Sequence, residues 1–182
     1  MALSIIVKRT LIKELRGEIG NEVLVKGWVA VRRDHGKLIF IDIRDATGKV
    51  QMVAIPSHTE AHAVAGTLRS EWVVAVSGKV NKRPEKMVNK EEPNGDIELE
   101  ALTVEVLNRS ETPPFDVSED TSGIEEETRL KYRYLDLRSP RMQKNMRIRS
   151  DFVRRVREHL FSKDFTEIET PLLTESTPEG SR

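Results

Sequence analysis

From Leu38 to Ala54 the chain alternates in the manner of two paired strands. Ile39, Ile41 and Ile43 alternate with Phe40, Asp42 and Arg44, the period of a half-buried strand. Asp45-Ala46-Thr47-Gly48 reads as a tight turn, with Gly48 able to take positive φ. Lys49 to Ala54 then runs back. Setting Arg44 against Lys49 places Ile43 against Val50, Ile41 against Met52 and Ile39 against Ala54, so one face is apolar. The other face sets Asp42 opposite Gln51 and Phe40 opposite Val53, and is expected to meet solvent.

The same patterning predicts the flanking elements. Residues 10–21 carry Leu11, Ile12 and Leu15 at helical spacing and end at Gly17 and Gly20. Val23–Val31 reads as a long strand, with Gly27 suggesting a bulge or bend. Ser57 to Leu68 reads as a helix, with Ser57 as N-cap and Glu60 completing a capping box. Trp72–Val80 is a fourth strand. A charged, proline-bounded loop covers residues 82–95, and a fifth strand spans Asp96–Leu107, with a bulge expected where its apolar parity switches near Ala101–Leu102. Three strands, a helix and two strands in this order predict a mainly β protein built on a five-stranded OB-fold, a Greek-key barrel whose strand 2–3 face and loops bind oligonucleotides or oligosaccharides. That face carries Phe40 and Gln51. An exposed aromatic beside hydrogen-bonding groups is a means of stacking and reading a single-stranded base. Packing of Phe40 under a loop, a neighbouring domain or a protein partner is the competing explanation, and the pattern leaves both open.

Residues 108–130, with Pro113-Pro114 and an acidic Ser/Thr/Glu stretch, show no periodicity and read as linker. Residues 131–147 are basic. Ile148–Phe161 is expected to be an amphipathic helix with Phe152, Val153, Val156 and Leu160 as its apolar stripe, followed by a strand ending at Pro171. The predicted organisation is a barrel over residues 1–108, a linker or hinge over 109–147, and the incomplete start of a second domain over 148–182.

Charge and composition narrow the chemistry. The 182 residues hold 30 Lys+Arg and 30 Asp+Glu, so zero net charge argues against a non-specific basic coat for nucleic acid. With no cysteine, disulfides and thiolate metal sites are excluded. His58 and His62 lack a third ligand, and no metal site is expected. No apolar run reaches the span of a membrane and no signal peptide is evident, which makes the cytoplasm the expected setting.

Four stretches in order carry a resemblance: G-W-V-A-V-R-R-D-H-G-K-L-I-F-I-D-I-R-D (27–45), L-K-Y-R-Y-L-D-L-R (130–138), F-T-E-I-E-T-P-L-L-T (165–174) and S-T-P-E-G-S-R (176–182). Together they resemble the aspartyl-tRNA synthetases of bacterial type, in class IIb. The resemblance implies that residues 148–182 begin the α+β catalytic domain of a class II synthetase. It implies that Phe40 stacks on the central anticodon base and Gln51 hydrogen-bonds it. It also implies that Arg33, Arg83, Asn89 and Glu98 contact the anticodon or its backbone. Val31 stands where relatives often carry a third arginine. His35 and Met87 lie near the reader of the third anticodon base, a hint that asparagine tRNA is a second partner beside aspartate tRNA. Phe165–Leu173 resembles class II motif 1, a dimer-interface element ending at Pro171. Ser176–Arg182 resembles the loop that closes over aspartate, with Glu179 meeting the substrate ammonium. Ser181 replaces the usual alanine.

The family's motifs 2 and 3 would lie beyond residue 182. The intact, homodimeric family member is therefore expected to use ATP and Mg²⁺ to form aspartyl-adenylate and aspartylate tRNA. These residues alone are expected to bind tRNA weakly, to bind neither ATP nor Mg²⁺, and to hold no catalytic residue. The alternative is a free-standing OB-fold module for single-stranded nucleic acid or tRNA.

Overall fold

The computed structural model describes residues 8–173. The chain divides into two compact units between Pro114 and Phe115. The first is a closed barrel of five strands in the order β1-β2-β3-β5-β4: β1 Glu22–His35, β2 Leu38–Asp45, β3 Gly48–Ala54, β4 Val73–Lys82 and β5 Ile97–Asn108. β1 pairs antiparallel with both β2 and β4, β4 with β5, and β3 closes the barrel by a short parallel pairing with β5. Closure leaves the sheet without a free edge. Helix α1, Thr59–Ala65, lies between β3 and β4.

The barrel interior is filled by the inward row of each strand, including Val25, Ile41, Ile43, Met52, Val76 and Leu99. The β2–β3 register matches the alternation: Arg44 pairs with Lys49, Ile43 with Val50, Ile41 with Met52 and Ile39 with Ala54. The turn between them needs no positive φ at Gly48. Asp45 holds it instead, its Oδ1 accepting from Thr47 N at 2.7 Å, Thr47 Oγ1 at 2.6 Å and Gly48 N at 3.2 Å. Its Oδ2 accepts from Ile12 N at 3.0 Å, and Lys13 N donates to Thr47 Oγ1, so this turn caps the 3₁₀ helix Ile12–Glu18. Ile12 and Leu15 of that helix are fully buried against the barrel core.

Several expectations are corrected. Gly27 is not a bulge. A Cβ there would stand 2.4 Å from the Arg44 carbonyl oxygen, so glycine permits two strands to approach closely. The β1 bulge falls between Val29 and Val31, where Ala30 has no register partner on β2. It reverses the parity of β1: Val29 pairs with buried Ile43, whereas Val31 pairs with Asp42 and Arg33 with Phe40. The bulge therefore turns Arg33 to the outer face. In β5 the register passes from Thr103 to Ala101 and skips Leu102, the expected bulge. α1 starts at Thr59 with His58 as N-cap and no side-chain capping bond, because Ser57 belongs to the preceding turn, closed by His58 N on Ile55 O at 3.1 Å.

The second unit holds the short helices α2, Glu126–Lys131, and α3, Arg133–Asp136, and the 22-residue α4, Pro140–Phe161. α4 begins at Pro140 rather than Ile148, with proline in the first turn where its missing N–H is tolerated. Phe165–Pro171 pairs with no strand among the described residues. The stretch read as featureless linker contains a buried polar cluster: Thr121 Oγ1 donates to Asp136 Oδ1 at 2.5 Å and lies 3.3 Å from Ser139 Oγ, while Arg133 donates to Asp136 Oδ2 at 2.5 Å.

Candidate nucleic-acid interface

The outer face of β2 and β3 carries the pairs Phe40–Val53 and Asp42–Gln51. It is less open than its alternation suggests, since Asp42 is 7% and Val53 6% exposed. The reason for Asp42 is local: Arg33 Nη2 reaches from β1 to donate to Asp42 Oδ1 at 2.8 Å and covers the carboxylate. Phe40 is half-buried, with the His35 ring edge-on at 5.9 Å between centroids.

Beside this face lies a polar cavity of about 130 Å³ whose lining includes Arg33, Asp42, Gln51, Arg83 and Asn89, together with Lys49, Glu92 and Asn94. Four of the six barrel residues singled out in the sequence, Arg33, Gln51, Arg83 and Asn89, thus meet at one place. Phe40 adjoins Asp42 on β2, and Glu98 stands behind Arg83 rather than in the cavity wall. Pro171 is exposed in the irregular segment after α4, and Glu179 lies outside the described residues.

The β4–β5 loop supplies Asn89 and is built to hold it. Asn89 N donates to Gly95 O at 3.0 Å, and a Cβ on Gly95 would fall 1.8 Å from the Asn89 carbonyl oxygen. Glu92 bonds Lys49 Nζ at 2.7 Å and Asn94 Nδ2 donates to the Lys49 carbonyl at 3.0 Å, tying the loop to β3. Asn89 Oδ1 accepts from Glu91 N at 3.0 Å, which leaves its amide nitrogen as the group to offer a ligand. Arg83 is largely buried, and its Nε makes no hydrogen bond. Burial raises the pKa of Glu98, the neighbouring Glu100 raises it further, and the Arg83 charge opposes both.

Each cation of the cavity faces a carboxylate: Arg33 with Asp42 at 2.8 Å, Lys49 with Glu92 at 2.7 Å and Arg83 with Glu98 at 3.8 Å. Such a surface does not attract polyanions by bulk charge. It offers fixed donors and acceptors of the kind that read base edges, next to an aromatic ring. The Lys49–Glu92 and Asn94–Lys49 links were not foreseen, because partners more than 40 residues apart leave no local signal; Asp42 was foreshadowed only by its register with Gln51.

The closed barrel is an OB-fold: residues 23–107 match the family model described as OB-fold nucleic acid binding domain. Residues 125–182 match the model for tRNA synthetases class II (D, K and N), so the two matches follow one another along the chain. Over 166 residues it is 51% identical to the aspartate–tRNA(Asp/Asn) ligase of Halothermothrix orenii, covering 91% of this chain and 28% of the relative. Over 163 residues it is 50% identical to the aspartate–tRNA ligase of Lysinibacillus sphaericus, covering 90% and 28%. The chain thus spans 28% of the length of these relatives. Among solved structures, asparaginyl-tRNA synthetase from Pyrococcus horikoshii, complexed with asparaginyl-adenylate, superposes with a TM-score of 0.77 at 28% identity, over 96% of this chain and 39% of that one.

Proposed function

We propose that this chain supplies the anticodon-reading part of an aspartate–tRNA ligase. The whole protein would use ATP and Mg²⁺ to form aspartyl-adenylate and pass aspartate to tRNA, in the cytoplasm and as a homodimer. The observation that carries this reading is the convergence of Arg33, Gln51, Arg83 and Asn89 on one polar cavity beside Phe40. Phe40 stacks the central anticodon base and Gln51 bonds its edge, while Arg33, Arg83 and Asn89 hold the flanking bases or phosphates. Glu98 orients Arg83. Stacking and edge contacts select bases without a strong basic field, in keeping with the balanced charge of the chain.

Asparagine tRNA is a second substrate in this reading, supported by His35 beside Phe40 and by the Asp/Asn specificity that the H. orenii relative carries in its name. The homodimer is supported by the apolar stripe of α4, where Phe152, Val156 and Leu160 are exposed, and by exposed Phe165 beyond it; Pro171 closes that segment. Glu179 is assigned to the substrate ammonium by its place in the T-P-E-G stretch. Among the described residues no cluster of three or more acidic or histidine side chains could hold a metal ion, and no step of adenylate formation is assigned to them. No helix among them is long and apolar enough to cross a membrane.

The test is binding of the chain to the aspartate anticodon stem-loop, compared with a stem-loop altered at the central base. Tighter binding of the unaltered loop supports the reading, and equal affinity sinks it.

A further inference from the structure

The three cation–carboxylate pairs around the cavity are not equivalent. Glu92 is 38% and Glu98 23% exposed at the side chain, whereas Asp42 is 10% exposed and itself forms part of the cavity wall. The barrel core does not call for it. The inward row of β2 is complete with Ile39, Ile41 and Ile43, and Asp42 lies on the opposite face. A desolvated negative charge on the face that meets a polyanion opposes binding by simple Coulomb repulsion. Among the described residues its partner is Arg33, whose side chain remains 43% exposed. A guanidinium offers five N–H donors in a rigid fork, so an anchor at one nitrogen leaves the others to a ligand in a fixed orientation.

We propose that Asp42 is a positioning residue for anticodon recognition: it fixes the Arg33 guanidinium beside Gln51, so that binding does not have to order a long, exposed side chain. The proposal rests on the reading of the barrel as an anticodon-binding module. It makes a counter-Coulombic claim, that removing a negative charge from an RNA-binding face weakens the binding of RNA.

The experiment measures affinity of the full 182-residue chain for the aspartate anticodon stem-loop, in the unaltered protein, Asp42→Asn, Arg33→Gln and the double variant. Asp42→Asn is expected to weaken binding by about tenfold, and the double variant to bind no more weakly than Arg33→Gln alone. A purely structural role for Asp42 would not confine its effect to the Arg33 background. Binding by Asp42→Asn as tight as or tighter than the unaltered protein overturns the proposal, as do effects of the two substitutions that simply multiply. Should Asp42→Asn melt without cooperativity, Asp42→Glu keeps the charge on a longer stem and must show the same dependence on Arg33. A stem-loop with all anticodon bases replaced is the control: if the unaltered chain binds it equally well, the anticodon reading itself fails and the proposal falls with it.

Discussion

Arg83 and Glu98 face each other at 3.8 Å between Nε and Oε2, both largely out of solvent, and neither satisfies the other with a hydrogen bond. Burial lifts the Glu98 pKa above its ordinary value. The folded state then holds a proton where the unfolded chain has already lost it, so the contribution of Glu98 to stability declines as pH rises through that interval. Urea unfolding of the unaltered chain and of Glu98→Gln, followed from acid to neutral pH, should show the unaltered protein losing ground to the variant as pH rises. A constant difference would contradict this account.

Asp45 behaves in the opposite sense. Burial alone would raise its pKa, but the Thr47 hydroxyl, the amides of Ile12 and Thr47 and the nearby Arg9 together hold it below the ordinary carboxylate value. Its stabilisation is therefore present above the unfolded pKa, about 3.9, and is lost as pH falls through the lower folded value. Asp45→Ala leaves the amides of Ile12 and Thr47 unpaired and should destabilise the barrel by about 1–3 kcal/mol at neutral pH. The two proteins should converge in stability in acid, as read by thermal or urea melts.

Gly95→Ala tests how the β4–β5 loop presents Asn89. The added methyl meets the Asn89 carbonyl, a backbone atom that cannot swing away. The substitution should destabilise the chain by about 1–3 kcal/mol. Limited proteolysis should cut the loop faster, and stem-loop affinity should fall even at temperatures where the variant is fully folded.

In the second unit, Asp136 has a fully buried side chain and binds Thr121 and Arg133. Asp136→Leu leaves the Thr121 hydroxyl without its acceptor and should cost about 1–3 kcal/mol. The loss should appear as earlier melting of helical circular dichroism, with Thr121→Val less affected because it removes no charge and leaves the Arg133–Asp136 pair in place.

The barrel was legible in the sequence wherever period-two alternation met clear turn chemistry. The β2–β3 register follows from the alternation of Ile39, Ile41 and Ile43 together with the Asp45–Gly48 turn, and the β5 bulge at Leu102 from a switch of parity. The β1 bulge was misplaced because Val29, Ala30 and Val31 are all apolar, so no parity change can be seen there; Gly27 was conspicuous for a different reason, the close passage of Arg44. Half of the site was visible as the outer row of one hairpin. The rest depends on Lys49 with Glu92, which are distant in sequence, and on the packing of Asn89 against the backbone of Gly95 within an irregular loop, neither of which hydrophobic periodicity encodes. The Thr121–Asp136–Ser139 cluster escaped for a related reason: hydrophobic periodicity is blind to a core made of polar groups.

The proposed function stands on Phe40 stacking against the middle base of an anticodon. The direct measurement is a double-mutant cycle of Phe40→Ala against removal of that base, read as affinity for the aspartate anticodon stem-loop. Phe40→Ala should weaken binding to the intact loop by about 1–3 kcal/mol and leave binding to the abasic loop unchanged. An equal loss with both loops would contradict the account.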